Sequence, residues 1–115
     1  LLRTIYSVTG KWTKESIHPA TRTMQALRRR VNEEDRELRE VLSSAQALLA
    51  PKGGICAVLA FHSGEDRVVK RHFRNDHSWK IDADWKKPRV ADAEEISRNP
   101  PSRSAKLRVA HAVSL

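Results

Sequence analysis

Seven consecutive residues, Ile55 to Phe61, carry no charged or hydroxyl side chain; a Gly53-Gly54 turn precedes them and a polar His62-Ser63-Gly64-Glu65-Asp66-Arg67 stretch follows. A strand of that composition is expected to be covered on both faces, as in a parallel sheet. In open α/β sheets the crevice beyond the carboxyl ends of such strands is where ligands bind. The run therefore predicts an α/β fold with His62, Ser63, Glu65, Asp66 and Arg67 at a functional edge. A buried parallel strand needs neighbours on both sides, and only two further strands can be read downstream. The missing neighbours are expected from upstream sequence or from another chain.

Around this run the chain reads as alternating helices and strands. Leu1, Leu2, Ile5 and Tyr6 suggest a short amphipathic helix, followed by a Gly10-Lys11-Trp12-Thr13-Lys14 linker. Pro19 opens the longest periodic segment. Its apolar positions Met24, Leu27, Val31, Leu38, Leu42, Ala45 and Leu49 follow a three-and-four spacing, and Glu34 interrupts them, which predicts a break near Asn32. Arg29 with Glu33, Arg30 with Glu34, and Asp35 with Arg39 stand at i,i+4 spacing on the opposite face. After the apolar strand, Ser63 and Asp66 have the spacing of a capping box for a helix that buries Val68, Val69 and Phe73 and fades by Asn75. Trp79, Ile81, Ala83 and Trp85 alternate with polar residues, as in a half-buried strand. Asp92 and Glu95 cap a short helix that Asn99-Pro100-Pro101 ends, and Leu107, Val109, His111, Val113 and Leu115 share one face of a last strand.

With 115 residues the chain allows one domain at most, and its formal net charge of +8 favours a phosphate-rich partner, nucleic acid above all. The basic groups gather at Arg22, Arg28, Arg29 and Arg30, at Lys70, Arg71 and Arg74, and at Arg98, Arg103, Lys106 and Arg108. Solvated helix faces account for part of them; Arg22, Arg67 and Arg103 stand out because each lies beside a turn. The single Cys56 excludes an internal disulfide framework and reads as core filling. No apolar stretch approaches the roughly 18 residues needed to span a membrane, so no membrane partner is expected. His18, His62, His72, His77 and His111 lack metal-motif spacing, so no metal site is expected, and His72 and His77 read as solvent-facing. Adjacent His62-Ser63 cannot form a hydrolase dyad, and Gly53-Gly54 precedes its strand, the wrong side for a dinucleotide loop. A first residue other than Met suggests a processed or partial polypeptide.

Four blocks carry a family resemblance. His18-Pro19-Ala20-Thr21-Arg22-Thr23-Met24-Gln25-Ala26-Leu27-Arg28 resembles HPATRTFQALR, and Val31-Asn32-Glu33-Glu34 resembles the V-N-x-E that follows it. Gly53-Gly54, six residues and then Phe61 to Arg71 resemble GG-x6-FHSLEDRIVKR. Asn99 to Val109 resembles NPRARSAKLRV. These are signatures of the small-subunit ribosomal RNA cytosine-N4 methyltransferases, the H-type (MraW) family.

The resemblance implies the C-terminal part of a Rossmann-like, S-adenosylmethionine-dependent methyltransferase sheet, preceded by the end of an inserted helical domain. Residues 1–27 would be the end of the insertion and 28–115 the catalytic part, with its last two strands forming an antiparallel edge. It implies methylation of the exocyclic N4 of a cytidine in small-subunit rRNA, during assembly of that subunit. Within such a site His62 and Ser63 are candidates for the target-base pocket. Arg22, Arg67, Arg103 and Lys106 are candidates for holding rRNA or structuring the site. The family's Gly-rich cofactor loop has no counterpart in these residues, so no cofactor-binding residue is assigned, the catalytic residues stay unknown, and the 115 residues alone are expected to be inactive. Gly64 stands where the pattern has Leu, Met24 where it has Phe, and Pro101-Ser102 where it has Arg-Ala. Such drift suggests a mitochondrial member, with a bacterial cytoplasm as the alternative, or a non-catalytic assembly factor that binds the small subunit on the same scaffold.

Overall fold

The computed structural model describes residues 1–10 and 17–114; positions 11–14 of the expected linker and Leu115 of the expected last-strand face lie outside these. Two compact units are present, Leu1–Glu34 and Asp35–Leu115.

In the first unit, helix α1 (Leu2–Thr9) buries Ile5, and helix α2 spans Pro19–Val31. Pro19 takes the first helical position, where a backbone N–H would have no partner in any case. His18 caps the helix: its Nδ1 accepts the Ala20 N–H at 3.1 Å, while its Nε2 lies 2.9 Å from the Tyr6 hydroxyl. The expected break falls at Asn32-Glu33, where Glu33 takes a left-handed φ of 51°. Because the helix is interrupted there, the Arg30/Glu34 spacing no longer places those residues one turn apart. Glu34 instead meets Arg28, Nε to Oε1, at 3.0 Å. The break also ends the common stripe: Met24, Leu27 and Val31 are exposed.

The second unit holds the core. Helix α3 (Glu34–Leu49) presents Leu38, Leu42 and Leu49 to it, then a 3₁₀ turn at Ala50–Lys52 leads to Gly53 in the left-handed region at φ 62°. Gly54 is required by contact: a Cβ there would stand 2.6 Å from Leu49 Cδ2. Strand β1 (Ile55–Ala60), helix α4 (Ser63–Asn75) and strand β2 (Trp79–Lys80) follow. After a 3₁₀ turn at Ala83–Trp85 come β3 (Arg89–Val90), α5 (Ala93–Arg98), a 3₁₀ segment Pro100–Ser104 and β4 (Lys106–Ala112). Asp92 caps α5 as expected, accepting the Glu95 N–H at 2.8 Å.

The sheet order is β1-β4-β2, with β3 also on β4, and every pairing is antiparallel. This corrects two expectations. First, β1 is not flanked by parallel neighbours: β4 lies along one edge, Ile55 opposite His111 and Ala60 opposite Lys106, and among the described residues no strand lies along the other. Second, β1 is covered on one face only. Cys56, Val58 and Ala60 face the core, whereas Ile55, Leu59 and Phe61 are 59%, 53% and 53% exposed. An apolar run states that both faces avoid water, not that this segment itself supplies both covers.

The core lies on the helix-bearing face. Leu42, Val69, Phe73, Trp79, Ala110 and Ala112 form its buried centre, with the Phe73 and Trp79 rings 5.0 Å apart. In β4 the covered positions are Arg108, Ala110 and Ala112. Leu107, Val109 and His111 do share one face of the strand, as their spacing predicts, but it is the open one; Val113 lies past the end of β4. Small residues under α4 let helix and strand approach closely. The alternating segment 79–85 keeps only two residues as strand, because Asp82 leaves the ladder to meet His111, Oδ2 to Nε2, at 2.8 Å and a 3₁₀ turn follows. His77 is exposed as expected; His72 is not, since its ring packs edge-on to Trp79 at 6.3 Å. Cys56 is half-buried against the core, and burial pushes its thiol pKa up.

Truncating one of the two largest fully buried side chains tests this placement. Leu42→Ala is expected to destabilise the protein by about 2–5 kcal/mol in urea unfolding, whereas Leu59→Ala on the open face should change stability far less.

Candidate functional site at the carboxyl end of the first strand

Where β1 ends, the chain must start a helix and satisfy that helix's orphan N–H groups. The sequence offers Ser63 and Asp66 for this, but the structure uses the residues one position earlier. His62 is the N-cap, with extended backbone, and its Nδ1 accepts the Glu65 N–H at 3.2 Å. Glu65 answers in kind: one carboxylate oxygen accepts the Phe61 N–H at 3.2 Å and the other lies 3.2 Å from His62 Nε2. This is a reciprocal box with an imidazole in the place of a hydroxyl. Ser63 becomes the first helical residue and is exposed.

Moving the cap releases Asp66 for another use. Its carboxylate turns under the helix and receives Arg108 in a two-point grip, Nε to Oδ1 at 2.7 Å and Nη2 to Oδ2 at 3.0 Å. Both residues are buried, at 7% and 9% exposure. A planar guanidinium matched to a carboxylate is the strongest form of side-chain hydrogen bonding available. That bond, rather than bare charge, chiefly holds the Asp66 pKa below the usual carboxylate range, and the nearby Arg108, Lys106 and Lys70 charges add to it against the opposing effect of burial. The pair spans 42 residues of sequence and fastens the start of α4 to the middle of β4.

On the open side of the sheet, beside this loop, lies a groove of about 300 Å³. Leu59, Phe61, Val90 and Leu107 supply an apolar floor, and Arg89, held 4.7 Å over the Trp85 ring, and Asn99 bring polar groups. Ser102 also lines it, with a buried Oγ that has no protein hydrogen-bond partner. The edge therefore combines a capped loop with an apolar hollow.

The residues singled out from sequence are distributed unevenly. His62, Ser63 and Arg67 share the β1–α4 corner; Arg67 is exposed on α4. Lys106, opposite Ala60, is half-buried at the start of β4, and Arg103 is exposed in the 3₁₀ segment. Arg22 is exposed on α2, in the other unit. Sequence reasoning missed Arg108 and the role of Glu65. A signal for Arg108 existed: it occupies the strand positions shared with Ala110 and Ala112, and a lone cation among small apolar residues asks for a buried partner.

The sequence model of the MraW methylase family matches residues 1–113. The chain belongs to that family. Among similar proteins, the ribosomal RNA small subunit methyltransferase H of Rhodopirellula baltica is 57% identical over 97 residues, covering 84% of this chain and 29% of the relative. That of Synechococcus sp. is 51% identical over 109 residues, covering 91% and 35%. That of Persephonella marina is 52% identical over 98 residues, covering 84% and 33%. All three are bacterial, and the chain spans about a third of their length.

Substitutions at two positions test the corner. Replacing one partner of a buried pair strands the other, so Asp66→Asn is expected to cost about 3–5 kcal/mol at neutral pH. Because the folded-state pKa of Asp66 is depressed, its contribution is complete above the ordinary carboxylate pKa and is lost as pH falls through the folded value. The gap between wild type and Asp66→Asn should therefore narrow in acid-titrated unfolding experiments, and a gap independent of pH would contradict the assignment. For the cap, His62→Ala should lose about 0.5–2 kcal/mol in thermal unfolding, and His62→Asn, which keeps an acceptor, should recover most of it.

Proposed function

We propose that this chain is the substrate-side portion of an S-adenosylmethionine-dependent rRNA cytosine-N4 methyltransferase acting on the small ribosomal subunit. The observation that carries the reading is the Asp66–Arg108 pair. It joins two of the family's sequence blocks, Phe61 to Arg71 and Asn99 to Val109, into one edge at the carboxyl end of β1. The strand order supports it too. β1 and β2 run in the same direction with β4 reversed between them, an arrangement suited to the terminal edge of a Rossmann-like sheet whose remaining strands add to the free side of β1. In this reading residues 1–27 close an inserted helical region and 28–115 belong to the catalytic domain. The rest of the polypeptide, or another chain, then covers the open face.

The described residues do not fit the cofactor by themselves. Gly53 and Gly54 serve a turn and a contact with Leu49 before the strand, and they form no phosphate- or methionine-binding cradle after it. The cofactor would be held by residues other than these, and no chemical step is assigned through it. What these residues can do is position. N4 transfer needs an exocyclic amine held in one orientation, and fixed geometry is worth several kcal/mol in such a step. The reciprocal His62–Glu65 cap and the Asp66–Arg108 pair immobilise the corner, leaving Ser63 and the His62 edge to shape a base pocket. Arg67, Arg103 and Lys106 are placed to meet phosphates or to brace that pocket, and Arg22 would serve rRNA from the helical region.

Identity near 50% to bacterial relatives that bear the methyltransferase name favours the enzyme over the non-catalytic assembly factor. It also removes the reason for a mitochondrial setting: the substitutions at Met24, Gly64 and Pro101 are ordinary variation at that identity. A bacterial cytoplasm is the better-supported compartment. Among the described residues no helix is long and apolar enough to cross a membrane.

The test is transfer by the full-length polypeptide to purified small subunits, read by mass spectrometry of the digested rRNA. N4-methylcytidine should appear, and Asp66→Asn should reduce its rate at least tenfold. Binding of subunits without any transfer by the wild type would replace this reading with the assembly-factor one.

A further inference from the structure

The outer face of α4 is uniformly basic. Arg67, Lys70, Arg71 and Arg74 are all exposed, and their spacing of i, i+3, i+4 and i+7 lines them up in one stripe opposite the buried Asp66, Val69 and Phe73. At a rise of about 1.5 Å per residue the stripe runs roughly 10 Å along the helix. Among the described residues no carboxylate lies within ion-pair distance of any of the four. The acids of α4 are committed elsewhere, Asp66 to Arg108 and Glu65 to the His62 cap. Asp76, just past the helix, accepts from the Ser78 backbone and hydroxyl.

Two other helices pair exposed charge along their length. Arg36 is paired with Glu40 one turn on along α3, and Arg98 with Glu94 along α5. A helix face kept merely soluble mixes signs in this way. On α4 the like charges stand one turn apart from each other four times over, 67/70, 67/71, 70/74 and 71/74, an arrangement that weakens an isolated helix. Apart from the Asp66 charge that acts on Lys70, its relief is left to counter-charge from outside.

We infer that the Arg67-Lys70-Arg71-Arg74 stripe is a docking face for the phosphate backbone of RNA, lying outside the groove and the β1–α4 corner except where Arg67 joins them. The inference rests on the rRNA reading for its choice of polyanion. The physical warrant is counterion release: cations that neutralise phosphates make binding fall steeply with salt, and the steepness counts the contacts. The stripe carries no base-reading geometry, so its contribution is to affinity and orientation and not to the choice of cytidine.

The experiment uses the full-length polypeptide and a small-subunit rRNA fragment, with binding measured across a salt series. The variant R67Q/K70Q/R71Q/R74Q is compared with wild type and with K52Q/K80Q/K86Q/K87Q, which removes equal charge from exposed positions off the stripe. Thermal unfolding of each variant confirms folding, and the stripe variant should be no less stable than wild type, since neutralisation removes repulsion. Each lost phosphate contact should lower the slope of log K against log salt by roughly 0.7, about 2.8 for all four on single-stranded RNA. A folded stripe variant whose slope falls by less than about 1, or a control variant whose slope falls as much, overturns the inference. Should the stripe variant unfold, R67Q/R71Q and K70Q/R74Q are read separately against the same criterion, at half the expected fall. Methyl transfer by the wild type is scored alongside. Transfer with an unchanged slope removes the stripe and leaves the enzyme reading, while stripe-dependent binding without transfer does the reverse.

Discussion

A buried carboxylate held in the two-point grip of a buried guanidinium organises this protein. Two charges taken out of water are tolerable only when they meet each other in good hydrogen-bonding geometry. The Asp66–Arg108 geometry satisfies that condition, and in doing so it fixes where α4 begins and how it lies across β4. Val69 and Phe73, one and two turns further along, then fall upon Ala110 and Ala112. Asp66 cannot cap the helix while it faces inward, so the cap passes to His62 and Glu65. Core packing, helix register and the shape of the corner loop all descend from one pair.

The second constraint is asymmetry between the two sheet faces. On the helix side the strands offer Cys56, Val58, Ala60, Ala110 and Ala112, small or medium residues under close-packed helices. On the other side stand Ile55, Leu59 and Phe61, each more than half exposed, and the half-buried Leu107 and Val109, larger residues that the described positions leave incompletely covered. An apolar sheet face of this kind, next to an unpaired strand edge, belongs to a larger assembly of secondary structure. This agrees with a chain that spans about a third of its relatives.

Local chemistry was legible in the sequence wherever it was decided locally. Pro19 and Asp92 opened helices where their backbone preferences place them, and Glu34 marked the break at Asn32-Glu33. Asn75 ended α4 as expected. What required distant partners was not legible. The period-two pattern grouped Leu107, Val109 and His111 correctly, but hydrophobicity alone could not say that the smaller alternate set faces the helices. Ser63 and His62 are both able to cap; the choice was made by Arg108, 45 positions beyond Ser63. The charge of the α4 face was visible residue by residue, yet the absence of counter-charge around it emerges only once Asp66 and Glu65 are seen to be occupied. The family blocks were legible because they are contiguous strings. Their joint geometry was not, because it is made by side chains from two of them.

The topology has a consequence for how the protein comes to be folded. β1, β2 and β3 each pair with β4 and, among the described residues, with no other strand. β4 is the last of the four to leave the ribosome, and the β1–β4 register joins Ile55 to His111. A nascent chain that has emitted β1, α4, β2 and β3 therefore holds three strands still without their β4 partner and an aspartate with no arginine. The sheet closes only when the final strand arrives, at the entropic expense of long-range loop closure. Assembly of this region is thus a late, all-at-once event in the life of the polypeptide, and until then its apolar strand is a natural client for chaperones.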